Sequence, residues 1–340
     1  MMEGVSSRTQ VVYNSRDQSI NNSAFKSGYE LDLWQEVRKR WMVVGVLLAM
    51  SLAVLAPRLG APGGFLHSEY VSYLPLWYIY FAAGRTRAHA ARARLYALTA
   101  LHAQLGAAAL CAVAVSALAA ALDRRVIEGA MLASVARPCA WLPLSLSQDG
   151  VTPALAAVNY AASFVLSPLV HLLLCGRIPI PLIKRVFITI ATAFVPFTLG
   201  TLAQKTDIDP RSSKVSALVI LYTECCQLLR EAEGSLYITD VMATLFLVIS
   251  WLTTVATSSY LYVKCGMLTL NEAHALLLVS TPKSIHIEWI SATLCTASGL
   301  ARLPAVFIAP AQALLLAAIT GDDQGDDDNA DDGDSDELPR

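Results

Sequence analysis

The most unusual chemistry in this sequence lies in the middle of an apolar stretch. Residues 269–297 are mostly apolar, yet they enclose Ser280, Thr281, Pro282, Lys283 and Ser284. Proline removes one helical hydrogen bond and displaces a carbonyl one turn earlier, and a lysine at the centre of a bilayer costs about 3 kcal/mol. Lys283 and its neighbours therefore either contact an anionic substrate or stand where a cation would bind. The alternative is a structural lysine bound to the carbonyls that Pro282 frees.

A second apolar stretch also contains a proline and a basic residue near its middle. Residues 126–150 carry Arg137 and Pro138 at mid-length. The stretch then ends in polar residues that are candidate ligands for a solute or an ion, namely Ser145, Ser147 and Gln148. Arg137 is either a counter-charge for an anion or an ion-pair partner of Glu128 or Glu224. Because backbone groups freed in hydrocarbon need protein, ion or water as partners, both broken stretches are expected to line a cavity.

Other polar residues lie alone within apolar segments. Asn159 and Ser163 are four residues apart, and Gln312 follows Pro310. Each either supplies an oxygen ligand to the cavity or makes a hydrogen bond in helix packing. Three titratable residues are candidates for ion or proton coupling, the alternatives being a solvated helix end or an interhelical hydrogen bond: Glu224, His286 and Glu288.

The composition indicates a membrane protein. Of 340 residues, 55% are hydrophobic and 15% charged, and the mean hydropathy is +0.50. The apolar residues form long blocks, which a single aqueous core cannot bury, so lipid is the expected solvent. The sequence has no Ser-His-Asp order, phosphate-binding glycine loop or metal-ligand spacing, so we expect neither an enzyme nor a nucleic-acid partner.

Charge divides the chain into three parts. Ten of the 27 acidic residues lie in residues 321–340, which are expected to form a disordered acidic tail. The remainder has 17 acidic and 24 basic residues, and this cationic body suits anionic headgroups. Residues 1–35 are expected to form a flexible cytoplasmic arm. Residues 36–320 are the predicted transmembrane domain.

Ten membrane spans are predicted within that domain. They cover roughly 41–55, 68–83, 95–121, 126–147, 152–175, 180–202, 215–230, 238–263, 270–297 and 302–319. Basic residues before the first span and after the second favour cytoplasmic termini. The two broken spans are the fourth and the ninth, so each is the fourth span in its group of five. This order predicts an inverted five-plus-five repeat in an all-α fold, with two discontinuous helices crossing near the midplane.

Several motifs, in order, resemble the SBF-like branch of the sodium/bile acid cotransporters. Within it they are most similar to the member-7 group, which includes fungal calcium-homeostasis proteins. The similar segments are WMVVGVLLAMSLAVLAPRLGAPGG (41–64), FVPFTLG (194–200), ILYTECC (220–226), STPKS (280–284) and APAQ (309–312). The resemblance implies ten helices in a core domain and a panel domain. It also implies a secondary transporter of a small solute or organic anion, with sodium as a candidate coupling ion and no other cofactor.

The resemblance also implies a link to intracellular calcium homeostasis. The expected location is the plasma membrane or a secretory-pathway membrane of the Golgi or endoplasmic reticulum. Trp141 and Leu142 stand where the group has two serines, which leaves hydroxyls and backbone carbonyls as the candidate ion ligands. The alternative function is a non-transporting regulator of cytosolic calcium, acting through contact with calcium channels or pumps.

Overall fold

The computed structural model describes residues 37, 40–61, 63–66, 71–86, 91–120, 122–147, 150–176, 183–203, 209–231, 237–284 and 299–320. The regular structure of these residues is helical, and the helices belong to one compact unit, Arg40–Asp323. The predicted arm 1–35 and tail 321–340 lie outside the described residues. Their disorder therefore stays a prediction.

Thirteen α-helices and one π-helical turn are found in the described part of the chain. They are α1 (Trp41–Leu55), α2 (Pro57–Gly60), α3 (Tyr73–Arg85), α4 (Ala93–Leu101), the π turn (His102–Gly106), α5 (Ala107–Leu118), α6 (Arg124–Val135), α7 (Trp141–Leu146), α8 (Val151–Cys175), α9 (Ile183–Leu202), α10 (Pro210–Glu231), α11 (Ile238–Lys264), α12 (Leu270–Ser280) and α13 (Gly299–Thr320).

Four helical segments are long and apolar enough to cross a membrane. They are Ala93–Leu118, Val151–Leu174, Ile238–Lys264 and Leu300–Thr320. The predicted all-α class is thereby confirmed, with helices of the kind expected in an integral membrane protein. Each of the ten predicted spans overlaps a helix, but only these four have full spanning length and hydropathy among the described residues.

The two helices that lead into the predicted breaks each begin at a side-chain cap. At α12, the Thr269 hydroxyl accepts the Glu272 backbone N–H, and the Glu272 carboxylate accepts the Thr269 backbone N–H. At α6, the Asp123 carboxylate accepts the Arg125 backbone N–H at 2.8 Å. These caps satisfy donors that the first helical turn leaves open, so the local sequence fixes where each helix starts.

Apolar packing centres on α13. One cluster joins α13 to α1, α7 and α10, and includes Val46, Leu142, Leu221 and Leu316. A second joins α13 to α5, α6 and α11. A third cluster lies between α4, α8 and α12. Helix α13 therefore takes part in two apolar clusters, both of which include helices next to the predicted breaks.

Glycine allows two helix pairs to approach closely. A Cβ atom at Gly84 of α3 would overlap the Phe197 backbone of α9, and one at Gly200 of α9 would overlap the Phe81 backbone. A Cβ atom at Gly129 of α6 would likewise overlap the Ala301 carbonyl of α13. Backbone cannot move aside as a flexible side chain can, so these positions require glycine.

The variant Gly129→Ala should therefore destabilise the protein. The added methyl group pushes α6 away from α13, and overpacking of this kind costs about 1–3 kcal/mol. We expect a lower midpoint of thermal unfolding for the detergent-solubilised protein. The matched control is Gly45→Ala, whose Cβ would meet only the end of the Leu218 side chain. Equal midpoints for the two variants would contradict the close approach of α6 and α13.

Candidate functional site

The first break separates α6 from α7. Helix α6 ends at Val135, and α7 begins at Trp141, so five residues lie between the two helices. Pro138 has no N–H group, and it disfavours helical geometry at Arg137. The second break follows α12, which ends at Ser280 just before Pro282. The interruption predicted at Pro138 is therefore present, and α12 ends where the second interruption is predicted, at Pro282.

The two breaks meet each other. Pro138 and Lys283 form an isolated antiparallel bridge. The Cys139 N–H donates to the Pro282 carbonyl, and the Ser284 N–H donates to the Arg137 carbonyl, each at 2.8 Å. Each break thus satisfies backbone groups that the other leaves open. The residues after Ser284, up to 298, lie outside the described residues, so the second half of the ninth span stays a prediction.

Gln312 of α13 completes the backbone hydrogen bonds at the second break. Its side-chain oxygen accepts the Lys283 N–H at 2.9 Å, and its side-chain nitrogen donates to the Lys283 carbonyl at 3.1 Å. The amide side chain thus pairs with Lys283 as a neighbouring strand would. Gln312 was predicted as a site residue, and its part in the site is to hold the backbone that carries Lys283.

Lys283 lies in the interior with 2% of its surface exposed. Its ammonium donates a hydrogen bond to the Ala103 carbonyl in the π turn. Among the described residues, no carboxylate lies within ion-pairing distance of it. A buried ammonium without a counter-charge is costly, and an anion bound beside it would offset that cost.

The π turn that receives Lys283 carries two further buried polar residues. His102 places its Nε2 atom 3.4 Å from the hydroxyls of Ser258 and Ser259 on α11, and its ring meets Tyr262 edge-on. Gln104 is also buried. Turns of the π type inside α-helices are frequent at functional sites, because they redirect backbone carbonyls. Here the redirected region supplies the Ala103 carbonyl to Lys283.

Within the described part of the chain, several buried oxygen and nitrogen atoms have no hydrogen-bond partner. Among them are the amide oxygen and nitrogen of Gln104, the Asn159 amide oxygen, and the hydroxyls of Thr152, Ser280 and Thr281. The Asn159 nitrogen donates to the Val279 carbonyl at 3.3 Å, which ties α8 to the last turn of α12. Unsatisfied buried polar groups are rare in folded proteins and are costly. Their oxygens are of the hard type that sodium accepts.

Two of the other predicted site residues make hydrogen bonds within their own helices. The Ser145 hydroxyl bonds to Leu142, and the Ser163 hydroxyl bonds to Tyr160, each within its own helix. Ser147 ends α7 through its backbone N–H. Glu224 lies on α10, beside the apolar cluster of α1, α7 and α13. Gln148, His286 and Glu288 lie outside the described residues.

Arg137 has a different partner from the acidic residues considered for it. Its guanidinium lies over the Phe164 ring, 4.7 Å from the ring centroid. Glu128 instead forms an ion pair with Arg124 at 3.1 Å on the same helix. A guanidinium on an aromatic face is stabilised without a carboxylate. Among the described residues no carboxylate forms an ion pair with Arg137, whose charge lies close to the bridge.

Sequence reasoning missed the π turn. His102 and Gln104 are two polar residues, two positions apart, within the apolar run ALTALHAQLGAAAL (97–110). These two polar residues in an otherwise apolar span were the signal that could have predicted the turn. They do not identify Lys283 as its partner, since Lys283 is 180 residues away from Ala103 in the chain.

Comparison with known proteins adds no identification. The chain matches no protein-family model, and no curated protein matches it.

Replacing Gln312 should weaken the site more than replacing a predicted serine. Gln312→Met keeps the side-chain length but removes both bonds to the Lys283 backbone, leaving a buried N–H and carbonyl unsatisfied. We expect about 2–4 kcal/mol of destabilisation, measured as a lower midpoint of thermal unfolding. Ser163→Ala removes only an intrahelical bond and should change the midpoint little. A larger loss with Ser163→Ala would contradict the role given to Gln312.

Proposed function

We propose that this protein is a secondary transporter that moves a small solute or organic anion by alternating access. The observation that carries the proposal is the hydrogen-bonded meeting of two helix breaks beside a buried ammonium. Many secondary transporters build their substrate sites from unwound backbone of discontinuous helices. Lys283 places an amine at this point, and its protonated form favours an anionic substrate.

We also propose that the ten predicted spans form an inverted repeat. In support, several contacts between spans recur when each span is replaced by the one five places along the chain. The first span packs on the seventh (α1 on α10), and the sixth packs on the second (α9 on α3). The fourth packs on the tenth (α6 on α13), and the ninth packs on the fifth (α12 on α8). The antiparallel bridge joins the fourth span to the ninth, so this pairing is also unchanged by the exchange.

The contacts further suggest how such a transporter divides into moving parts. Helices α1, α3, α9 and α10 are the proposed panel, because α1 packs on α10, α10 on α3, and α3 on α9. The helices that surround the bridge, α4 to α8 and α11 to α13, are the proposed core. Rocking of the core against the panel would expose the Lys283 region to one side of the membrane and then to the other.

Sodium is a candidate co-substrate, and its oxygen ligands would come from Asn159, Ser280 and Thr281. The Lys283 ammonium opposes a second cation nearby, since like charges repel strongly where water is excluded. An ammonium bound to a backbone carbonyl also resembles a bound monovalent cation. We therefore expect uptake that proceeds without sodium. A strict sodium requirement would show that the three oxygens bind the ion despite Lys283.

The test is uptake by the full-length protein in proteoliposomes. The probes are radiolabelled organic carboxylates and sulfonates, beginning with taurocholate, under imposed sodium or proton gradients. Lys283→Met keeps the length of the side chain but removes its charge, and we expect uptake to fall about 30-fold or more. This loss corresponds to the roughly 2 kcal/mol or more that a buried charged contact contributes.

Lys264→Met is the matched control, because Lys264 is exposed at the end of α11. We expect this variant to retain uptake, and both variants to unfold at similar temperatures. Equal uptake by Lys283→Met and the unsubstituted protein would contradict the role of Lys283. Absence of uptake of every probe, with cellular calcium changes that survive Lys283→Ala, would instead favour the regulator of cytosolic calcium.

A further inference from the structure

We propose that this protein binds the phosphate headgroup of an anionic phospholipid in a cavity between the α1–α2 corner and the end of α10. The cavity has a volume of about 350 Å³ and is lined by Pro57, Arg58, Gly63, Gly64 and Arg230. Two arginines thus line one space, and none of the described residues that line it is acidic. Arginine forks match phosphate oxygens in pairs and are favoured for phosphate recognition.

The walls of the cavity are fixed by contacts between distant parts of the chain. Gly60 sits against α10, where a Cβ atom would come within 2.8 Å of the Cys226 sulfur. The Tyr222 hydroxyl donates to the Ala56 carbonyl at 3.4 Å. Arg58 and Arg230 are therefore presented by elements that are packed together, which lowers the entropic cost of binding an anion.

The loop that closes the cavity is also specified by its glycines. Gly63 has a φ of 84°, a conformation that other residues rarely adopt. At Gly64 a Cβ atom would overlap the Arg58 carbonyl. The Leu66 N–H donates to the Leu59 carbonyl at 2.8 Å, which draws the loop back over α2. The glycines thus allow the backbone to line the cavity without side chains that would fill it.

Exposed apolar side chains beside the cavity identify a lipid rather than a soluble phosphate. Leu55, at the end of the apolar helix α1, is 81% exposed, and Phe65 in the closing loop is 92% exposed. Arg58 follows Leu55 by three residues, at the point where an apolar helix gives way to charge. Apolar surface next to a basic site is the arrangement expected where acyl chains and a headgroup bind together.

The experiment measures lipid binding by the detergent-solubilised full-length protein. Thermal unfolding midpoints are followed as dioleoyl phosphatidic acid or dioleoyl phosphatidylcholine is added to the micelles. We expect phosphatidic acid to raise the midpoint and phosphatidylcholine to have little effect. The double variant Arg58→Gln/Arg230→Gln should bind phosphatidic acid about 30-fold more weakly, at about fivefold for each arginine.

Three matched variants separate the explanations. Arg124→Gln/Arg211→Gln removes the same charge from exposed positions and should retain binding. Arg58→Lys/Arg230→Lys keeps the charge and should lose less affinity than the glutamine pair. Phe65→Ser should weaken phosphatidic acid binding but leave any effect of inorganic phosphate unchanged.

Three results would overturn the proposal. One is an equal loss of binding in the two glutamine pairs, which would indicate general charge attraction. Another is equal stabilisation by the two lipids. The third is stabilisation by inorganic phosphate as strong as that by phosphatidic acid, with no effect of Phe65→Ser, which would indicate a site for a soluble anion. None of these measurements depends on transport, so the lipid proposal and the transport proposal fail separately.

Discussion

Backbone hydrogen bonding at two interrupted helices is the constraint on which this structure depends. A helix that stops inside an apolar protein leaves carbonyl and N–H groups that water cannot reach. Here the open groups around Pro138 and around Lys283 pair with each other through two bonds of 2.8 Å. Neither break can satisfy its open backbone groups alone, so the contact between the two segments stabilises both of them.

Helix α13 and the π turn extend this arrangement from backbone to side chains. Gln312 pairs with both polar groups of the Lys283 backbone, and the Ala103 carbonyl accepts the Lys283 ammonium. The lysine is thus fixed at its backbone and at its tip, by two different helices. An amine held this rigidly would need little reorganisation on binding an anion, which is consistent with the proposed function.

The proposed lipid site lies apart from this centre and follows from a different constraint. The α1–α2 corner packs on α10 through Gly60, Tyr222 and Cys226. Helices α1 and α10 belong to the proposed panel, whereas Lys283 and Gln312 belong to the proposed core. A headgroup bound by Arg58 and Arg230 would hold the panel at the membrane surface, leaving the core as the part that moves.

The sequence by itself determined the helical class, the apolar segments and the positions of both breaks. These features are local consequences of hydropathy and of the missing N–H group of proline. They could therefore be predicted from residues 126–150 and 269–284 alone. Gln312 was also visible as a polar residue in an apolar run. Tertiary structure decided which groups meet: Gln312 with the Lys283 backbone, the π turn with the ammonium, and Arg137 with Phe164 rather than Glu128. Such pairings join residues far apart in the chain, and their energies depend on distance in space, which no local pattern records.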